Sequence, residues 1–236
     1  MTDNLLSLFN NRQKLSKAQL DQFVLVQWQQ GKHFDRLPSN ALPDYKKFDA
    51  FPWEKIDCML TKIVRQQEDG LSFGFDMFPP KSAAKGDMHV HPLSSRLITV
   101  LEGYGTAIVQ TCKGKMAKKE VGPGDVILFP HATPHCFWGA EDAPMVVEVM
   151  LGPYVPFEHP LHTVCPKKAK VIAQDYPDLF RPCHVDELEQ VANRVVALQA
   201  QGLVELSEHQ VMEWGDEFID ALGGYETTER VCAIER

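Results

Sequence analysis

The sequence predicts a mainly β domain, a sandwich or barrel, with α-helical extensions at both ends. Three observations carry that prediction. Between about residues 56 and 151 short β-rich runs alternate with turn signals; on either side of that span the apolar residues fall at helical spacing; and no internal repeat or low-complexity segment breaks the pattern. A chain of 236 residues can bury one sizeable core with appendages. We divide it into a helical N-terminal extension and linker (1–50), a barrel (51–155), and a crossing loop with a helical C-terminal extension (156–236).

Residues 3–30 read as helical. Ser16 with Gln19 forms a capping-box signal, Leu20, Phe23, Val24 and Trp28 share one face, and Gly31 offers a C-terminal stop. A polar, proline-bearing stretch, DRLPSNALPDYKKFDAFPW, links to the β region. There the runs KIDCMLTKIV, LSFGFDMF, RLITVLEGYGTAIVQ, KMAKKEV, DVILFP, HCFW and PMVVEVML are separated by EDG, CKGK and GPGD, which mark turns. After GPYVPFEHPLHTVCP the helical period returns. Leu188, Val191, Val195 and Leu198 share a face, and Ser207 with Gln210 repeats the capping signal before VMEWGDEFIDALGG. The apolar faces of these helices need burial, against the outside of the barrel or against a second subunit.

Charge narrows the partners. The net charge is −8 and the densest basic run is KKAK at 167–170, which argues against nucleic acid or an anionic membrane and for a small molecule or a protein. The N-terminus MTDNLLSLFNNRQK lacks a long apolar stretch and no run elsewhere approaches a membrane span, so we expect a cytoplasmic protein. Cys58, Cys112, Cys136, Cys165, Cys183 and Cys232 include no C-x-x-C pair and read as reduced thiols, each a small buried hydrophobe. No G-x-S-x-G elbow is present, and GYGTAI lacks the full dinucleotide fingerprint.

The chemistry gathers in HVHPLSSR, residues 89–96. On a strand, residues two apart point to the same face, so His89 and His91 look into the β core together while Val90 looks away. Further on, GPGDVILFPHATPHCFW ends one strand, turns at its prolines and begins another with His135, where a third imidazole can face the first two. Three neutral nitrogens suit a divalent first-row metal.

At these residues the chain resembles the cupin superfamily, small jelly-roll barrels whose first motif runs G-x5-H-x-H-x3–4-E-x6-G and whose second runs G-x5-P-x-G-x2-H-x3-N. Gly86, His89, His91 and Gly103 match the first, with the leading glycine nearer the histidines than the pattern asks. Gly124, Pro130 and His135 match the second. Arg96 stands where the motif has its glutamate ligand, Ala132 replaces the inner glycine and Gly139 the asparagine. The resemblance covers about residues 56–151. It implies a jelly-roll barrel holding one divalent metal on His89, His91 and His135, with Fe(II) the first choice and Zn, Ni, Mn or Cu the others. Cupins that lack the glutamate include dioxygenases acting on thiols, diketones or hydroxylated aromatic acids, so it implies a metal-dependent dioxygenase for a small anionic or chelating substrate. A lyase or isomerase, or a non-catalytic sensor, are the alternatives. Cupins also often dimerise, and we expect a homodimer.

Arg96 poses a physical problem. At about 5 Å and an effective dielectric near 20, its charge beside a dication costs on the order of 7 kcal/mol. Either Arg96 turns away to a carboxylate, with Asp87, Glu102 and Glu148 as candidates, or it anchors an anionic substrate together with the metal. Other residues carry weaker signals. His159, His162 and Cys165 in EHPLHTVC have metal-like spacing but read as loop. His131 reads as an exposed turn histidine or as a hydrogen-bond partner of the site. Cys136 faces away from the histidines by alternation, and Phe129 and Phe137 read as apolar barrel wall or as lining of the pocket.

Overall fold

The computed structural model describes residues 4–56, 59–66, 71–80, 89–155, 161–166, 175, 188–206 and 224–226. The chain opens with two helices, α1 (Leu5–Asn10) and α2 (Lys17–Gln29). The continuous helix expected over 3–30 is therefore split. Ser16 adopts extended angles and its side chain accepts from the Gln19 N–H while Gln19 accepts from the Ser16 N–H. A residue capping a helix start is non-helical, so the signal that begins α2 also ends the helical path before it.

The strands follow as β1 (Phe34–Arg36), β2 (Glu54–Ile56), β3 (Met59–Arg65), β4 (Ser72–Phe78), β5 (Ser95–Glu102), β6 (Gly105–Gln110), β7 (Met116–Val121), β8 (Asp125–Phe129), β9 (His135–Gly139) and β10 (Met145–Gly152). Two expected runs each divide in two, KIDCMLTKIV into β2 and β3, and RLITVLEGYGTAIVQ into β5 and β6. The second break falls at Gly103, with φ 76°, where a Cβ would lie 2.2 Å from the Pro144 carbonyl oxygen. All pairing between these strands is antiparallel. One sheet runs β1-β8-β5-β10-β4-β3-β2 and a second runs β7-β6-β9. The two sheets enclose an apolar interior of Phe78, Ile98, Val100, Val109, Ile127 and Val147 among others, the jelly-roll arrangement.

The seven-stranded sheet is apolar on both faces. On its outside Phe73, Leu97, Val126, Leu128 and Met150 pack against Leu8, Phe9, Leu20, Phe23 and Val24 of the two helices. Phe75, Leu101 and Val146 continue that face beneath Tyr45, Phe48 and Trp53. The stretch expected as a linker is thus a strap laid on the sheet, and it supplies β1 as well. Trp28 fixes the end of α2 by donating its indole N–H to the Gln110 carbonyl at 2.7 Å.

Beyond the barrel, β11 (Val164–Pro166) pairs antiparallel with β12 (Val204–Leu206), and the expected C-terminal helix is present as α3 (Leu188–Ala200), with Val195 and Leu198 buried. Gly224 and Glu226 hydrogen-bond to Met116 at the edge of β7. The Ser207–Gln210 capping signal, the segment that follows it up to residue 223, KKAK, Gly86, Asp87, His159, Cys58, Cys183 and Cys232 lie outside the described residues. Among the described residues no helix is long and apolar enough to cross a membrane. Cys136 is buried and Cys112 exposed, both as free thiols.

Candidate metal centre

His89 and His135 face each other across an isolated antiparallel bridge, each donating its N–H to the other's carbonyl at 3.0 Å. Residues paired directly across such a bridge project to the same side, and His91, two residues on, shares that side with His89. The three imidazoles converge accordingly. One nitrogen from each lies within 4.8 Å of the others, and the Nε2 atoms of His89 and His91 are 3.0 Å apart. Donors set at right angles around a metal about 2.1 Å away are themselves about 3 Å apart, so this spacing fits a shared ion.

The tautomers favour the same use. His91 donates its Nδ1–H to the His162 carbonyl, and His135 donates its Nδ1–H to the Thr133 carbonyl at 2.8 Å. A carbonyl can only accept, so in both rings the proton sits on Nδ1 and the Nε2 lone pair is left for a metal. Burial, with the charge of Arg96 second, holds His91 well below the ordinary histidine pKa. Burial and then His89 do the same to His135. Both rings are neutral near pH 7, the state that ligation requires. The His135 ring also stacks on Phe129, with centroids 4.0 Å apart.

The loop before His135 is pinned from the outside. His131 is fully buried, which removes the exposed reading. Its Nδ1–H donates to Asp21 of α2 at 2.8 Å and its main-chain N–H to the Ser95 hydroxyl at 3.0 Å. Ser95 in turn donates to Asp21. Next along, Ala132 donates its N–H to the His91 carbonyl at 2.8 Å. Ala132 has φ 57°, the left-handed backbone for which the cupin motif supplies glycine.

Arg96 lies on the inner face of β5, in register with Phe129 on one side and Leu151 on the other. Two of the carboxylates proposed for it are taken elsewhere. Glu148 is buried on the outer face 3.2 Å from Arg12, and Glu102 pairs with Lys46 at 2.9 Å and Tyr45 at 3.0 Å. Arg96 instead donates from Nη2 to Nε2 of His162 at 3.2 Å, and its Nε is buried without a hydrogen-bond partner among the described residues. His162 is the site neighbour that sequence reasoning set aside as loop. Its Nδ1–H donates to the Val155 carbonyl at 2.8 Å and its own carbonyl receives His91, so one residue steadies both the guanidinium and an imidazole. The side chain of Cys165 lies outside the described residues.

Arg96 and His162 border a cleft enclosing about 460 Å³, part of it open to solvent, with Thr61, Asp76, Val149, Leu151 and Tyr154 among its lining. Asp76 had no signal in the sequence beyond being a polar residue in an alternating run. Burial raises its pKa to about 6, against the lowering effects of the Thr61 hydroxyl and the charge of Arg96.

The comparisons with known proteins bear on the barrel. Residues 75–151 match the cupin domain family model. No curated protein matches the sequence. Similar solved structures include KdgF from Halomonas sp., 23% identical with a TM-score of 0.38, covering 45% of this chain and 92% of that one. Oxalate decarboxylase from Bacillus subtilis is 17% identical with a TM-score of 0.36, covering 44% and 28%. CapF, a capsular polysaccharide assembling protein from Staphylococcus aureus, is 16% identical with a TM-score of 0.40, covering 48% and 33%. This chain therefore spans a third or less of the latter two.

Proposed function

We propose that the barrel of this chain, whose residues 75–151 match the cupin domain model, is a cupin, and that the protein is a metal-dependent enzyme for a small anionic substrate. His89, His91 and His135 hold one divalent metal, Fe(II) in the first instance, and the reaction is a dioxygenation. The observation that carries the reading is the convergence of three imidazoles, two of them fixed in the ligating tautomer by main-chain carbonyls. A bound divalent metal would supply Lewis acidity and open positions for a chelating substrate.

The chain's own residues then hold the substrate. Arg96 is charged, buried at Nε and aimed at the cleft, so its fork is available to a carboxylate, and His162 keeps it in place. Three neutral ligands leave the full charge of a dication for the substrate to balance, and an anion bound beside Arg96 offsets both charges. Val149 and Leu151 keep that end of the cleft apolar, which strengthens the ion pairing. Asp76 supports a second reading, a lyase or isomerase, because a carboxylate with a raised pKa in the same cleft can move a proton without oxygen.

Oxygen uptake separates these readings. With anaerobically prepared, iron-loaded protein and a panel of thiols, diketones and hydroxyaromatic acids, dioxygenation predicts substrate-dependent oxygen consumption that His135→Ala abolishes. Turnover in the absence of oxygen establishes the second reading instead. Tight ligand binding with no turnover under either condition contradicts both and leaves a sensor.

A further inference from the structure

Asp76 is an expensive residue to keep inside an apolar barrel. It lies on the inner face of β4, two residues before Phe78 and in register with Val147 of the neighbouring β10. Thr61 of β3 donates its hydroxyl to Oδ1 at 2.7 Å, and among the described residues no cation stands within ion-pair distance. Asp76 is half-buried, and a carboxylate so placed gives up part of its hydration, which one hydroxyl offsets only in part. Evolution could fill the place with valine. The site instead opens onto the cleft that Arg96 and His162 border. Gly74, two residues earlier on the same face, adds no side chain between Asp76 and Ser72, since a Cβ there would lie 2.4 Å from the Lys62 carbonyl oxygen. One cleft thus offers a guanidinium, a carboxylate and apolar walls.

We infer that Asp76 is the base that deprotonates a hydroxyl of the bound substrate, and that the substrate is a carboxylic acid bearing an enolic or phenolic hydroxyl on an apolar body. This rests on the reading of the cleft as the substrate site of a metal centre. The carboxylate goes to Arg96 and the apolar body lies along Val149 and Leu151. At the reacting hydroxyl the O–H bond breaks, the proton passes to the free oxygen of Asp76, and the electron pair stays on the substrate oxygen. Asp76 becomes neutral and the substrate gains the negative charge. No electrons leave or enter, and Asp76 returns the proton when product departs.

The match of strengths limits the substrate. A carboxylate with a pKa near 6 takes a proton only from a hydroxyl whose own pKa is brought down toward that range, which delocalisation of the anion together with the positive charge of Arg96 and of a bound metal would do, and which an ordinary alcohol is too far above to reach. The extra charge on the substrate is also what three neutral histidines leave unbalanced. Besides Asp76, the titratable or charged groups on the cleft are Arg65, Arg96, Tyr154 and His162. Arg96 is the one among them that acts on Asp76, lowering its pKa against the effect of burial.

The test uses 3-hydroxybenzoate, whose ultraviolet spectrum changes when its phenol ionises, with 3-methoxybenzoate as a probe that has no proton to give. Both are titrated at neutral pH into the full chain, metal-loaded and wild type or Asp76→Asn. The expected result is a phenolate band on binding to wild type, its loss in Asp76→Asn with about tenfold or more weaker binding of the hydroxy acid, and equal binding of the methoxy acid. Thr61→Val, which removes the hydroxyl that lowers the Asp76 pKa, makes Asp76 the stronger base and should move the pH midpoint of the band downward. A band of full size in Asp76→Asn, or failure of wild type to bind either probe, overturns the inference. If the metal reading itself is wrong, elemental analysis of the same wild-type sample shows no metal, whatever the band does. An Asp76→Asn protein that does not fold is replaced by Thr61→Val, whose unshifted midpoint counts against Asp76.

Discussion

Asp76 and Glu148 are carboxylates on neighbouring strands of one sheet, one residue out of register, and they face opposite ways. Burial raises both pKa values, to about 6 for Asp76 and to about 7 for Glu148. Their surroundings differ in kind. Glu148 is sealed beneath the N-terminal helices, 1% exposed, with Arg12 3.2 Å away. Asp76 has a hydroxyl partner, no cation within ion-pair distance among the described residues, and an open cleft before it. A raised pKa is therefore not by itself a mark of function. Access and the type of partner decide, and on both counts Glu148 fastens the helices to the barrel while Asp76 is left for chemistry.

The sharpest way to break this contrast is Arg12→Ala. Removing one partner of a buried pair costs about 3–5 kcal/mol when the other stays charged, so chemical denaturation at alkaline pH should register a loss of that order, with a smaller loss in acid, where Glu148 is protonated. Equal losses at both pH values would mean that the pair does not hold the helices.

Arg96→Ala comes next, on the cleft side. It should weaken binding of an anionic ligand by roughly 2–5 kcal/mol while leaving metal content unchanged or higher, since repulsion is relieved. Arg96→Lys should recover only part, lacking the fork. A lowered melting temperature with unaltered ligand affinity would make Arg96 a structural residue.

Glu148→Gln sharpens the comparison through pH. The folded-state pKa of Glu148 is raised, so the folded state binds the proton more tightly than the unfolded state. The stability this contributes is present in full below pH about 4.5 and declines as pH rises through about 7. The variant should remove a decline on the order of 3 kcal/mol or less between those limits. A stability profile as steep as wild type would assign the decline to other groups.

The smallest expected effect is at Ala132. A non-glycine residue in the left-handed region costs roughly 1–2 kcal/mol, and glycine gives back some of that as unfolded-chain entropy. Ala132→Gly should therefore raise stability by about 0.5–1 kcal/mol with metal content unchanged. Destabilisation would show that the methyl group's burial outweighs the strain.

What the sequence revealed follows from which interactions are local. His89 and His91 are two residues apart beside the bridge to His135, and His135 follows a turn with a recognisable glycine and proline pattern, so spacing brought out all three. The capping box of α2 is equally local and is present with both hydrogen bonds. The cleft was not legible. In LSFGFDMF the alternation is plain, but its sense is hidden: Phe73 and Phe75 face outward into the helices and strap, while Ser72, Gly74 and Asp76 face the interior. A sheet covered on both sides gives no cue as to which face is inside. His162 meets Arg96 from 66 residues away and His131 meets Asp21 from 110, through a topology that no spacing rule contains.

The central claim is that His89, His91 and His135 hold one metal ion. Elemental analysis of the purified chain and of His89→Ala, His91→Ala and His135→Ala tests it most directly, with circular dichroism to confirm the fold of each. The account predicts close to one divalent metal per wild-type chain, iron first, and loss of most of it in every variant with the β signature intact, because the barrel has its own apolar core. Full metal occupancy in all three variants, or no metal in a wild type purified and reloaded without chelator, would contradict it.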